Sequence, residues 1–358
     1  MAFITRRSII KSAAAAATLP LVGTGAWAAG PLKIAFVYLG PIGDHGWTYA
    51  HEQGRQDLIK HFGNKIETTI VENVAEGPDA ERVIRNLAKQ GNELIFTTSF
   101  GYMNPTLKVA KRFRKVKFEH ATGYQRAKNM ASYNARFYEG RAVCGTIAGH
   151  MSKSGVAGYI ASFPIPEVVQ GINAFTLAAQ KVNPDFKTNV LWVSSWYDPA
   201  KEADSAKALI DQGADIIAQH TDSPAALQAC EQRGLMAFGQ GWDMSSFAPK
   251  AHLTAIQNKW GVYYIKRVQA VLDGSWSSGD SWWGMKDGIL EMSAFNDRIP
   301  ADVQAAARAT QAAIIDGSGH AFDGPIIDNE GKERLAAGSH LSDKDLYAMD
   351  WYVKGVQS

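Results

Sequence analysis

The residues with most to offer chemically are aromatic and acidic, and they gather where short apolar runs end. Leu39 is followed by Gly40-Pro-Ile-Gly-Asp-His-Gly-Trp-Thr-Tyr49. This loop has three glycines, but neither G-x-G-x-x-G nor the Gly-Lys-Ser/Thr of a phosphate loop, so it does not read as a phosphate site. Its chemical content is Asp44 and Trp47, held on a tight turn before a helix. Asp44 reads either as a helix cap or as a ligand acceptor, and Trp47 either as packing or as a stacking surface. Further along come Ser99-Phe100-Gly101-Tyr102, Gly123-Tyr124-Gln125, Phe163-Pro-Ile-Pro-Glu167, Ser195-Trp196-Tyr197 and Gly239-Gln-Gly-Trp242-Asp243. One strand end after another thus carries an aromatic residue. Rings so placed suit a site that sandwiches a flat ligand ring, with a few polar groups reading its edge. Trp47, Phe100 and Trp196 are the expected stacking partners. Glu167 is the expected edge reader, although a carboxylate there also simply favours a helix N-terminus.

Reaction chemistry finds less support. The nine histidines are scattered, and the close pair His45 and His51 is six residues apart, which is not one helix face. There is no G-x-S-x-G elbow and no nucleophile with an evident partner base. Paired carboxylates for glycoside hydrolysis need not be neighbours in sequence and stay open, without local context in their favour. The chain reads as a binding protein and not an enzyme, with no cofactor and no metal.

The elements that must position these residues alternate. Lys33 to Leu39 is a strand-like run, Thr48 to Phe62 a helix, Lys65 to Val74 a strand, Asp79 to Gln90 a helix, and Asn92 to Ser99 a strand. Pro105 to Phe113 and Val116 to Thr122 continue the rhythm, which implies parallel β-α-β units. It restarts at Gly155 to Ser162 and runs to Gly239. A less regular tail follows, with a strand over His252 to Asn258 and helices over Trp260 to Leu272, Pro300 to Asp316 and Ser342 to Val353. The fold class is α/β: two Rossmann-like lobes, each with a parallel sheet, facing across one cleft. In such sheets ligands meet the loops at the carboxyl ends of the strands. The expected lobes are 29–151 plus 252–286 and 152–251 plus 287–358, joined by a hinge of several crossings near residues 152, 252 and 287.

The chain opens with Thr5-Arg6-Arg7-Ser8-Ile9-Ile10-Lys11, an Ala-rich apolar run, and Ala26-Trp27-Ala28. A basic start, a short apolar stretch and an A-x-A site make an export signal over 1–28, of the twin-arginine class. About 330 of the 358 residues then remain, enough for two domains. A formal charge of +2 offers no field for nucleic acid. No later apolar run is long enough to span a bilayer. The two cysteines, Cys144 and Cys230, could pair in an exported protein, but they fall on different helices of different expected lobes, so two buried free thiols are the better reading.

The first-lobe loop with Gly-x-x-x-Asp-x-x-Trp, the segment Asn134-Ala-Arg-Phe-Tyr-Glu-Gly-Arg141, the run Phe163-Pro-Ile-Pro-Glu-Val168 and the stretch Trp283-Gly-Met-Lys-Asp-Gly-Ile-Leu290 together resemble the basic membrane protein family. These are substrate-binding proteins of ABC importers with the type I periplasmic-binding fold. The resemblance implies a periplasmic monomer that hands a small molecule to a membrane permease. It is to the branch that binds purine nucleosides, in which aromatics stack on the base while an acid and a lysine hold the ribose. The family's Gly-Val-Asp-x-Asp corresponds here to Gly239-Gln-Gly-Trp-Asp243, and its Leu-Thr-Ser-Val-Val-Lys to Leu253-Thr-Ala-Ile-Gln-Asn258. The first acid is a glycine, the lysine is Asn258, and Trp242 stands beside them. The resemblance with these departures implies a purine nucleobase, read by Tyr124, Tyr197, Gly101, Trp242, Asp243 and Asn258 in addition to the residues above. A nucleoside, a sugar or another small polar metabolite is the alternative within the class, and an exported nucleoside hydrolase the alternative outside it.

Overall fold

The computed structural model describes residues 30–358; the expected export signal lies outside the described residues. The chain builds two parallel sheets in succession. The first begins with Leu32–Val37 (β1), buried along almost its whole length, as a strand covered on both faces must be. Helix Gly46–Phe62 (α1) follows, then Ile66–Val71 (β2), Pro78–Lys89 (α2), Leu94–Thr97 (β3), Met103–Arg112 (α3), Lys117–Ala121 (β4) and Met130–Ala135 (β5). Helix α2 starts with proline at its first turn and with Asp79 and Glu81 beside it, the chemistry a helix N-terminus favours.

After β5 the chain leaves this sheet. Helix Phe137–Met151 (α4) is buried along nearly its whole length and packs chiefly on Pro166–Val182 (α5) of the second layer. The second sheet is built from Val156–Ala161 (β6), α5, Lys187–Trp192 (β7), Pro199–Asp211 (α6), Ile216–His220 (β8), Ala225–Gln232 (α7), Met236–Gly241 (β9) and His252–Asn258 (β10). Helix Trp260–Leu272 (α8) returns to pack on α1, and Asp280–Trp283 (β11) joins the edge of the first sheet beside β5. The chain then crosses back for Leu290–Met292 (β12) and Ala301–Asp316 (α9). A small hairpin of Ile326–Ile327 (β13) and Glu333–Leu335 (β14), a short helix Asp343–Tyr347 (α10) and Val356–Gln357 (β15) complete the second lobe.

The first sheet has the order β11-β5-β4-β3-β1-β2, all parallel. The second has the order β12-β10-β9-β8-β6-β7-β15, with β12 antiparallel to its neighbour. Three crossings join the lobes, at Arg136, Lys259 and Gly284. They are tied to each other by Arg136 N–H donating to Trp283 O (2.8 Å) and Lys259 N–H to Ile289 O (2.8 Å).

These crossings correct the expected boundaries. Helix α4 falls in the second lobe because its apolar face meets α5, and β10 does so because it pairs with β9, so 137–151 and 252–258 change lobes. Strands β5 and β11 were not expected; both carry polar residues that hide their strand character. The helix expected over Ser342 to Val353 stops at Tyr347. Ser342 and Asp345 cap its start reciprocally, but Met349 and Val353 turn inward as separate buried anchors and Gly355 leads into β15. Cys144 on α4 and Cys230 on α7 therefore share a lobe, and both are free and buried. No helix among the described residues is long and apolar enough to cross a membrane.

Candidate functional site

The carboxyl ends of β1, β3 and β4 face those of β6, β7, β8 and β9 across a cleft, and a small cavity lies between them. Its first-lobe wall is Leu39, Trp47, Ser99, Phe100 and Thr122. Its second-lobe wall is Glu167, Trp196, His220, Asp222 and Gln240. Two larger spaces flank it. One, open to solvent, is lined by Gly40, Asn73, Glu76, Ser194 and Tyr197 among others; the other, also open, lies on the hinge side against Tyr124, Arg126, Asp280 and Trp282.

The first-lobe wall is rigid for identifiable reasons. The Trp47 indole donates Nε1–H to Thr98 O (2.6 Å), and its ring meets His51 (4.5 Å) and Trp260 (5.3 Å) edge to face. His51 in turn stacks on Trp260 at 4.7 Å, and burial keeps its imidazole neutral, far below the usual histidine range. The Phe100 turn is fastened by Glu76, which accepts from Ser99 Oγ (2.5 Å) and Gly101 N (3.0 Å). Backbone strain collects here as well. Asn73, Thr122 and Ser194 are the non-glycine residues at positive φ among those described, and all three line the cleft. A β-branched residue such as Thr122 at φ 62° is costly and marks a position that the surroundings enforce.

The second-lobe wall carries the titratable groups. Glu167 stands in the first turn of α5, where Pro166 sets the helix start. Its Oε2 accepts from Asn134 Nδ2 (2.9 Å) of β5, which bridges the lobes, and its Oε1 lies 3.6 Å from His220 Nε2. Burial holds His220 below the usual histidine range, with the Arg141 charge adding to this, against the pull of Glu167. Asp222 accepts from Trp47 N (3.2 Å), a second bridge between lobes. Burial, then the charge of buried Glu202, pushes its carboxyl up to about 8, against the help of that N–H. At neutral pH this side chain is mostly a carboxylic acid, able to donate through O–H and accept through C=O at one spot.

The lobes meet closely at Gly46 and Gly241, both at positive φ. A Cβ on Gly241 would sit 2.9 Å from the Gly46 carbonyl carbon, and one on Gly46 would sit 2.9 Å from Asp222 O. Only glycine lets the two backbones approach so far.

Of the residues expected from sequence, Trp47, Phe100, Glu167 and Trp196 meet in the central cavity. Tyr124 and Tyr197 are exposed and line only the flanking spaces. The others lie outside the lining of these cavities. Asp44 is three-quarters exposed and paired with His45 Nδ1 (2.8 Å), held by neither the cavity nor a helix N–H. Gly101 is a packing position, where a side chain would strike Glu76. The Trp242 ring turns to Tyr49 (5.4 Å) and Lys259 Nζ (4.9 Å). Asp243 accepts from Ser245 N (2.8 Å) and faces His252 at 3.7 Å. Asn258 is fully buried at the hinge, and neither polar side-chain atom has a partner among the described residues. The positions taken for lost ribose ligands therefore do not face the central cavity. Missed were Leu39, Ser99, Thr122, His220, Asp222 and Gln240. The end of β8, Gln219-His-Thr-Asp222, carries no aromatic and so gave no signal to a search led by rings. Its place as a strand end was the available clue.

The matching family model is that of the ABC transporter substrate-binding proteins, PnrA-like, over residues 32–319. This chain belongs to the Bmp family. A purine-binding protein of Brucella abortus is 58% identical over 336 residues, covering 94% of this chain and 96% of that one. A Haloferax volcanii protein named for glucose binding by an ABC transporter is 36% identical over 326 residues, 91% of this chain and 80% of its own. The solute-binding protein of an ABC transporter system from Aeropyrum pernix superposes with a TM-score of 0.68 at 18% identity, over 89% of this chain and 98% of that one. The Bmp chain has the type I periplasmic-binding fold, and the lobes, crossings and cleft described above are that fold's parts.

Proposed function

We propose that this Bmp-family protein, exported to the periplasm through its twin-arginine signal, binds a purine nucleobase in the central cavity and presents it to the permease of an ABC importer. The observation that carries this reading is the meeting of Trp47, Phe100 and Trp196 around a small cavity whose remaining wall is Glu167, His220, Asp222 and Gln240. Three rings give a flat heterocycle faces to lie against, each adding roughly 0.5–1.5 kcal/mol beyond burial. A purine edge presents an N–H beside a ring nitrogen. The neutral carboxyl of Asp222 offers the complementary C=O and O–H, and Glu167 accepts a further N–H. The purine-binding Brucella relative supports the same ligand class. One chain supplies both walls, so a monomer suffices.

A purine nucleoside is the second reading. The flanking space by Gly40, Asn73, Glu76 and Ser195 adjoins the central cavity through Trp47, Trp196 and Asp222, and its polar groups would suit a ribose. Titration calorimetry with adenine, hypoxanthine, adenosine, inosine and glucose separates the cases. Tightest binding is expected for a free base. Tighter binding of adenosine than adenine selects the nucleoside, and binding of glucose alone rejects the purine. Release of free base from adenosine or inosine would reveal a hydrolase.

A further inference from the structure

Arg141, on α4, is fully buried beside the cavity. Its Nη2 donates to Gln240 Oε1 (2.5 Å), while Nε and Nη1 have no partner among the described residues. On its other side lies the Tyr159 ring, 5.6 Å from the guanidinium carbon. A buried guanidinium without a carboxylate is an expensive thing to keep, and a use for it is to be expected.

We infer that Arg141 is a positioning residue that fixes the polarity of the Gln240 amide, so that the cavity floor offers a hydrogen-bond donor and selects purines with an acceptor at that edge. An isolated glutamine presents either its oxygen or its nitrogen to a ligand, because the two ends of the amide exchange by a half-turn. Here the half-turn is blocked. A guanidinium has donors only, so turning the amide over would set N–H against N–H inside the protein. Oε1 is thereby committed to Arg141. Nε2, which no described residue accepts from, is left for the cavity that Gln240 lines. A side chain able to read either kind of atom becomes one that reads only acceptors. A site built so rejects a ligand lacking the partner atom much more strongly than one that merely fits its shape.

The inference rests on the purine reading, and the test separates the two. Affinities are measured by calorimetry for adenine and its 1-deaza, 3-deaza and 7-deaza analogues, each of which replaces one ring nitrogen by C–H. In the wild-type protein one analogue is expected to bind about tenfold weaker or worse. In Gln240→Glu, Arg141 keeps a partner but the cavity meets an acceptor, so adenine weakens and its advantage over that analogue falls to twofold or less, or inverts. In Arg141→Met, which removes the buried charge without opening a large void, the amide is free to turn and the advantage shrinks likewise. Arg141→Lys retains a donor and restores it. An advantage unchanged in Gln240→Glu overturns the inference, as does an Arg141→Met protein that loses affinity equally for all four ligands, the mark of a purely structural role. Failure of the wild-type protein to bind any purine overturns the purine reading and this inference with it. Purine binding with equal affinity for all four ligands overturns this inference alone.

Discussion

The first lobe meets the cavity with Trp47 and Phe100, rings held from behind by Thr98 O, His51, Trp260 and Glu76, whereas the second lobe meets it with Glu167, His220, Asp222 and Gln240, of which Asp222 takes its protonation from burial beside Glu202 and Gln240 its orientation from buried Arg141. Trp196 is the second lobe's ring, and its aromatic neighbours, Phe163 at 5.1 Å and His220 at 6.4 Å, hold it more loosely than Trp47 is held. The difference teaches a division of labour. A stacking surface needs only shape and rigidity, which a packed apolar core supplies. Edge recognition needs a defined pattern of donors and acceptors, which must be set by other charges out of water.

The largest expected effect that tests this division is Trp47→Ala. Loss of the ring should weaken purine binding about thirtyfold or more, in the range of a truncated hot-spot residue. It should also lower the melting temperature of the ligand-free protein, because the His51–Trp260 stack loses its cover. Trp196→Ala should weaken binding with little change in melting temperature. Equal stability losses in the two variants would erase the contrast between the walls.

Next comes the contact that brings the walls together. Gly241→Ala places a methyl against the Gly46 backbone at a left-handed φ of 77°. Affinity should fall about tenfold, as closure loses the glycine that alone tolerates this geometry. Small-angle scattering should show the variant staying open at ligand concentrations that close the wild-type protein. A normal closed form would mean that the lobes need not approach so far to bind.

Smaller, and specific to the second wall, is a pH effect at Asp222. Its folded-state value of about 8 stands above the ordinary 3.8, so the folded protein holds a proton that the unfolded chain gives up. Stability from this group is therefore lost as pH rises from near 4 towards 8, and changes little outside that window. Asp222→Asn, neutral throughout, should match the wild-type melting temperature near pH 4 and exceed it at pH 8. Parallel melting curves across the range would show that Asp222 is an ordinary ionised carboxylate. Smallest of all is Asp44→Ala, at an exposed pair away from the cavity, with stability expected within about 0.5 kcal/mol of wild type and unchanged affinity by calorimetry. A clear loss of affinity would return the loop of Asp44 to the site.

Much of the architecture was legible because it rests on local periodicity. Strand-like runs such as Lys33 to Leu39 and His252 to Asn258, each followed by an amphipathic helix, announce parallel units wherever they occur, and the aromatics at their ends place Trp47, Phe100 and Trp196 at the mouth of the sheets. Proline before Glu167 fixes a helix start, and the Glu167 side chain with it. These features belong to neighbouring residues and to the α/β topology that neighbours imply.

What the tertiary structure alone decided is which lobe owns an element and which side chain turns inward. Helix α4 and strand β10 change lobes through their partners, α5 and β9, far away in sequence. At the end of β9, Gln240 lines the cavity and is held there by the Arg141 side chain, 99 residues distant, while the left-handed turn at Gly241 breaks the strand and Trp242 turns out to Tyr49 and Lys259. Asp222 becomes a neutral acid only because folding buries it near Glu202, and the two effects together outweigh the opposing Trp47 N–H. Burial, pairing and protonation are properties of an environment assembled from distant segments, and periodicity along the chain carries no record of them.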